Sequence, residues 1–139
     1  SSAASDVYKR QQLGAVRLLN FTQDQKSQAF EELSLWLNQF KSIDHLYGLG
    51  GNLRALMQAN DIKGPINTND FSRYVKEYLS IDSSVLIDDF KIPKDRIDII
   101  PEALNLYSLI IKQLNAQIIE NTFWSISDGL VKKILRDQL

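Results

Sequence analysis

Residues 47–56 read YGLGGNLRAL, a short apolar run, two adjacent glycines and then a series of helix formers. The apolar run starts further back, so residues 43–47 are a strand candidate, and Leu53 to Met57 favour helix. The order is strand, glycine turn, helix. Adjacent glycines at such a place let the backbone come close to a ligand while the helix amides point at it, and phosphate is the natural ligand. Gly48, Gly50, Gly51 and Asn52 are therefore the candidate binding residues. The spacing is not G-x-G-x-x-G, because position 53 is Leu, and no Gly-Lys-Ser/Thr follows to make a P-loop. The plain alternative is a tight turn that binds nothing. Arg54, in the first helical turn, would pair with phosphate or hold a nearby carboxylate.

Outward from this unit the chain is mostly helical. Thr22 and Gln25 have capping-box spacing before a periodic apolar stripe of Phe30, Leu33, Leu37 and Phe40, which predicts a helix over about residues 24–40. After Gly64-Pro65, Phe71, Tyr74, Val75, Tyr78 and Leu79 fall on one helical face, capped by Thr68 or Asn69. Residues 85–87 suggest a short helix before Pro93. Pro101 suits the first turn of a long helix over about residues 100–116. On that helix Glu102, Asn105, Ser108, Lys112 and Asn115 form one narrow polar stripe, so it should be largely buried. Residues 117–123 read as a strand, and Ser127-Asp128 precede a last helix. The expected class is α/β, helix-rich with a few short strands.

Composition narrows the function. The 139 residues carry 16 basic and 17 acidic side chains, one histidine and no cysteine, with 44% hydrophobic residues. A disulfide scaffold, a thiol nucleophile and a cysteine zinc site are excluded. A net charge of −1 argues against DNA as a partner. The longest apolar runs fall far short of the ~20 residues that span a bilayer. The first eleven residues, SSAASDVYKRQ, have no periodicity and resemble the translated frame of a transposon sequencing adapter. Residues 1–11 are accordingly expected to be a non-native disordered tail. With Ser1 first and Met57 the single methionine, the chain is expected to be part of a longer protein.

Other candidates have plainer readings. His45 beside Asp44 reads as a partly exposed strand histidine, since no G-x-S-x-G context supplies a nucleophilic serine. Asp88 and Asp89 point apart on a helix and read as a solvated face. Arg96, between Asp95 and Asp98, reads as an arginine that locks a turn through its carboxylate neighbours.

Four stretches taken in order resemble landmarks of the exopolyphosphatase and guanosine pentaphosphate phosphatase (Ppx/GppA) family. They are Gly14-Ala15-Val16-Arg17-Leu18, then Gly48-x-Gly50-Gly51-Asn52, then Arg96-x-Asp98-x-Ile100-Pro101, and Ser125-Ile126-Ser127-Asp128-Gly129-Leu130-Val131. The resemblance implies an actin-like, ribonuclease H-like fold, with residues 12–139 forming the C-terminal portion of the second actin-like domain. It implies removal of the terminal phosphate from polyphosphate or guanosine pentaphosphate (pppGpp) in the cytoplasm with Mg2+, and it admits a homodimer of the parent protein. The water-orienting glutamate and the main phosphate loop of the family belong upstream, so no catalytic residue is expected here and the isolated chain should be inactive. Carried over are the loop of Gly48, Gly50, Gly51 and Asn52, and Arg17 of the first landmark. Asn52 stands where many members have Thr, and Ser125 and Ser127 replace a Gly and an Arg, which touches substrate preference more than fold. A sugar kinase or Hsp70-like ATPase, whose similar turn contacts adenosine, and a non-catalytic helical interaction module are the competing readings.

Overall fold

The computed structural model describes residue 11, residues 13–122 and residues 135–137. Residues 1–10 of the expected tail over residues 1–11, and the last landmark, residues 125–131, lie outside them. The first helix, α1 (Ala15–Asn20), gives way at Phe21 to the capping box that opens α2 (Gln23–Leu37). Gln25 N donates to the Thr22 hydroxyl at 3.2 Å, and Thr22 N donates to Gln25 Oε1 at 2.8 Å. The helix stops three residues short of Phe40, whose ring meets Trp36 edge-on at 5.0 Å instead of extending the helical stripe.

Strand β1 (His45–Leu49) starts two residues later than the apolar run suggests and takes Gly48 into the sheet. Register with β3 (Ile118–Thr122) explains the shift: the two pair in parallel from His45–Ile118 to Leu49–Thr122, while Ile43 N is used by the Leu114 carbonyl. Helix α3 (Gly51–Ala59) follows the turn. The two-residue β2 (Ile66–Asn67), antiparallel to β3, is too short to leave a period and was not foreseen. It completes a sheet of order β1–β3–β2. Helix α4 (Thr68–Ser80) is capped by Asn67, which accepts from Asp70 N at 2.8 Å, and not by Thr68 or Asn69. The Thr68 hydroxyl donates instead to the Ala116 carbonyl, 2.9 Å away. Then come α5 (Ser83–Asp88), a 3-10 turn (Lys94–Arg96) and α6 (Ile99–Leu114), with Pro101 in the first turn of α6 as expected.

Side chains alternate across β1. Leu46 and Gly48 face α3 and α6, with Leu46 against the main core, whereas Tyr47 and Leu49 are 60% and 52% exposed on the other face. The main core joins Leu53, Leu56 and Met57 of α3 to Phe71, Val75 and Tyr78 of α4, with Ile100 and Leu104 of α6 and Ile119 of β3. A smaller cluster of Leu33, Leu37 and Leu114 seats α2. Helix α6 packs against α1, α2, α3 and α4 alike, so it is the central pillar its sequence promised. Lys26 and Glu102, 2.6 Å apart and largely buried, tie α2 to α6.

Candidate functional site

The turn between β1 and α3 is built around three glycines, each in a different setting. Gly50 holds φ +101° and ψ 177°, a conformation open almost only to glycine, and space lies around its missing Cβ. Gly48 lies within β1, where a Cβ would strike Leu53 Cδ2 and come within 3.0 Å of the Tyr107 hydroxyl. At Gly51 the missing side chain leaves room for the Arg96 guanidinium. No side chain caps α3, so the N–H groups of its first turn form an electropositive end beginning at Gly51 and Asn52.

Two neighbours fasten the turn. The Tyr107 hydroxyl donates to the Leu49 carbonyl at 3.2 Å, and the Thr122 hydroxyl donates to the Gly48 carbonyl at 3.2 Å. Burial raises the Tyr107 phenol above its ordinary value, against the opposing hydrogen bond to Leu49, so the group stays a neutral donor. Gly48 is thus committed to the sheet and its backing helices, while Gly50, Gly51 and Asn52 form the surface of the turn.

Hollows open on two sides of the start of α3. One, about 270 Å³, is lined by Ala15, Asn52, Ala103, Leu106, Tyr107 and Ile110. It brings the first landmark, through Ala15, against the second, through Asn52. Arg17 sits on α1 but is not among the lining residues. The other, about 610 Å³, is lined by Gly51, Arg54, Asp89, Lys91, Pro93 and Arg96, among others. Sequence reasoning missed it, because its cations come from three separate elements. It also corrects the expected role of Arg96. Among the described residues no carboxylate is within ion-pair distance of Arg96, and its guanidinium turns from Asp95 and Asp98 toward Gly51.

The remaining polar groups are structural in placement. His45 Nε2 lies 3.1 Å from Glu120 Oε2 and its ring stacks on Tyr47 at 4.2 Å, with no serine in the arrangement. Asn121, opposite Gly48 and 9% exposed, has neither amide atom hydrogen-bonded to protein and opens with Arg54 and Gln58 onto a small cavity of about 20 Å³. Among the described residues no cluster of three or more His, Asp or Glu is placed to hold a metal ion. Nor is any helix among them long and apolar enough to cross a membrane.

No family model and no curated protein matches the sequence. Solved structures do. A crystal structure of the Aquifex aeolicus member of the Ppx/GppA protein family matches 91% of this chain at a TM-score of 0.66 and 17% identity, over 48% of that protein. A structure of the Aquifex aeolicus Ppx/GppA phosphatase, described as the type II variant, matches 79% at a TM-score of 0.59 and 16% identity, over 41% of its length. The chain therefore spans less than half of either relative. Three landmarks that are distant in sequence meet around the start of α3, and the chain has the actin-like α/β fold of Ppx/GppA family proteins.

Proposed function

We propose that this chain is part of a cytoplasmic phosphohydrolase that removes the terminal phosphate of polyphosphate or pppGpp, and that the β1–α3 turn binds phosphate. The supporting observation is the uncapped start of α3, reached through Gly50 and flanked by Ala15 and Asn52. Backbone amides there are fixed before a ligand arrives, and fixed donors stabilise phosphate charge without reorganising. In the reaction, water oxygen bonds to the terminal phosphorus and the bridging P–O bond breaks, releasing inorganic phosphate and a chain one unit shorter. The part of this chain is to hold and orient phosphates. Gly50, Gly51 and Asn52 supply the turn, and Arg17 on α1 supplies a cation on the neighbouring element. Mg2+, where bound, would neutralise phosphate charge.

The test is phosphate release from polyphosphate and from pppGpp, with Mg2+, by a full-length protein that contains this segment, beside Gly51→Val. The nearest atoms to a Cβ at Gly51 belong to the flexible end of Arg96, which can move aside, so the variant should stay folded while its turn is obstructed. Activity that falls in a folded variant supports the proposal. Absence of activity on both substrates overturns it in favour of a kinase-like or non-catalytic actin-fold protein.

A further inference from the structure

The polar stripe of α6 divides in two. Glu102 is tied to Lys26 of α2, whereas Ser108, Lys112 and the C-cap Asn115 line a hollow of about 560 Å³, within the ordinary range of ligand clefts. The start of α4 contributes Asn69 and Ser72 to the same hollow, and Gln117 joins them just ahead of β3. This is the far end of the sheet from the β1–α3 turn. Gln117 precedes Ile118, the first residue of β3, whereas Thr122, the last, bonds to the turn. Buried Ile111 and Ala116 add apolar surface, and no lining residue carries a carboxylate. We infer that this hollow binds a small polyhydroxylated anion of the sugar-acid class.

The chemistry follows from which hydrogen-bonding groups are already committed. The Ser72 hydroxyl donates to the Thr68 carbonyl at 3.0 Å, and the Ser108 hydroxyl donates to the Leu104 carbonyl at 2.9 Å. A hydroxyl has one proton, so both oxygens are left to accept. Gln117 Nε2 donates to the Asn115 carbonyl at 3.0 Å, which fixes that amide with Oε1 as a further acceptor. A ligand that satisfies these acceptors must bring donors of its own, which hydroxyl groups do and a fully ionised phosphoryl group does not. Donors are also present: Lys112 makes no ion pair among the described residues, and the Asn69 and Asn115 amides make no hydrogen bond among them. Hydroxyl groups both donate and accept, so they match this mixture. The Lys112 ammonium selects a negative charge, a lining without carboxylates disfavours an amine, and the ligand's carbons can lie on Ile111 and Ala116. The walls are set before a ligand arrives, because Thr68 N donates to the Gln117 carbonyl at 3.0 Å and the Thr68 hydroxyl to the Ala116 carbonyl at 2.9 Å, joining α4 to the start of β3.

This inference stands apart from the phosphate-binding turn, so failure of phosphate release would leave it intact. D-glucuronate titrated into the whole 139-residue chain, followed by NMR amide shifts, tests it. D-glucose, which keeps hydroxyls without the charge, and acetate, which keeps the charge without hydroxyls, are the comparison ligands. Glucuronate should move the amides of Asn69, Lys112 and Gln117 and bind about tenfold more tightly than either, the scale of one charge-assisted hydrogen bond. Lys112→Gln should weaken glucuronate about tenfold and leave glucose unchanged, a split that general disruption of the fold would not produce. Ser72→Ala, at an exposed helical position that alanine favours, should weaken both sugars about threefold. Lys76→Gln, exposed on α4 but outside the lining, should change neither. A wild type that ignores glucuronate, acetate that binds as tightly as glucuronate, or a folded Lys112→Gln that keeps wild-type glucuronate affinity would each overturn the inference.

Discussion

Gly50 and Gly51 are neighbours with opposite tolerance for a side chain. Gly50 has room for a methyl group but holds backbone angles that L-residues rarely adopt, whereas Gly51 has ordinary angles and faces the movable end of Arg96. Gly50→Ala should therefore cost about 1–3 kcal/mol, the scale of a strained residue, while Gly51→Ala should be close to neutral. Urea unfolding of the two variants checks this, and equal losses would contradict it. Gly48→Ala should cost about 1–3 kcal/mol through crowding against Leu53 and Tyr107. The glycines are legible in the sequence as a group, either facing a ligand or making a tight turn that binds nothing. Their separate reasons were hidden, because they depend on Leu53, Tyr107 and Arg96, and two of those three lie more than forty residues away.

At the scale of elements, the sequence was most informative where a signal is local. The Thr22–Gln25 capping box needed no distant partner and emerged as read, and Phe71, Val75 and Tyr78 of the next stripe are buried as its spacing implied, although Leu79 at its end is 44% exposed. Boundaries set by pairing were less legible: β1 moved two residues because β3 fixes its register, and β2 exists only through its bonds to β3. Helix α5 supplies a prediction of the local kind. Asp82 caps it, accepting from the Ser84 hydroxyl at 2.6 Å and from Ser84 N at 2.8 Å, and these bonds hold its carboxyl below the usual aspartate value. A depressed folded-state value means the stabilisation is present above the unfolded value of about 3.9 and lost as pH falls from there through the folded one. The melting-temperature gap between wild type and Asp82→Ala should be full at neutral pH and shrink in acid. A gap that holds constant down to strongly acidic pH would show that the charged cap contributes nothing.

Across the whole molecule, α6 was readable as a buried pillar because one narrow polar stripe left the rest of its circumference apolar, and the structure surrounds it with four helices. Leu104 is fully buried at its centre, so Leu104→Ala should cost about 2–5 kcal/mol in denaturant unfolding. The sheet was less legible, since strands of two and five residues carry little pattern, and its outer face was not foreseen at all. On that face Tyr47 and Leu49 project from β1, which is an edge strand among the described residues. An exposed edge beside exposed apolar side chains favours association with another chain. The purified 139-residue chain should therefore show a sedimentation coefficient that rises with concentration. Replacing Tyr47 and Leu49 with threonine keeps strand-compatible residues while removing most of the apolar surface, and should suppress that rise without lowering helix content. Concentration dependence that persists in the double variant would move the contact to another surface, such as the exposed Val16 and Leu19 of α1.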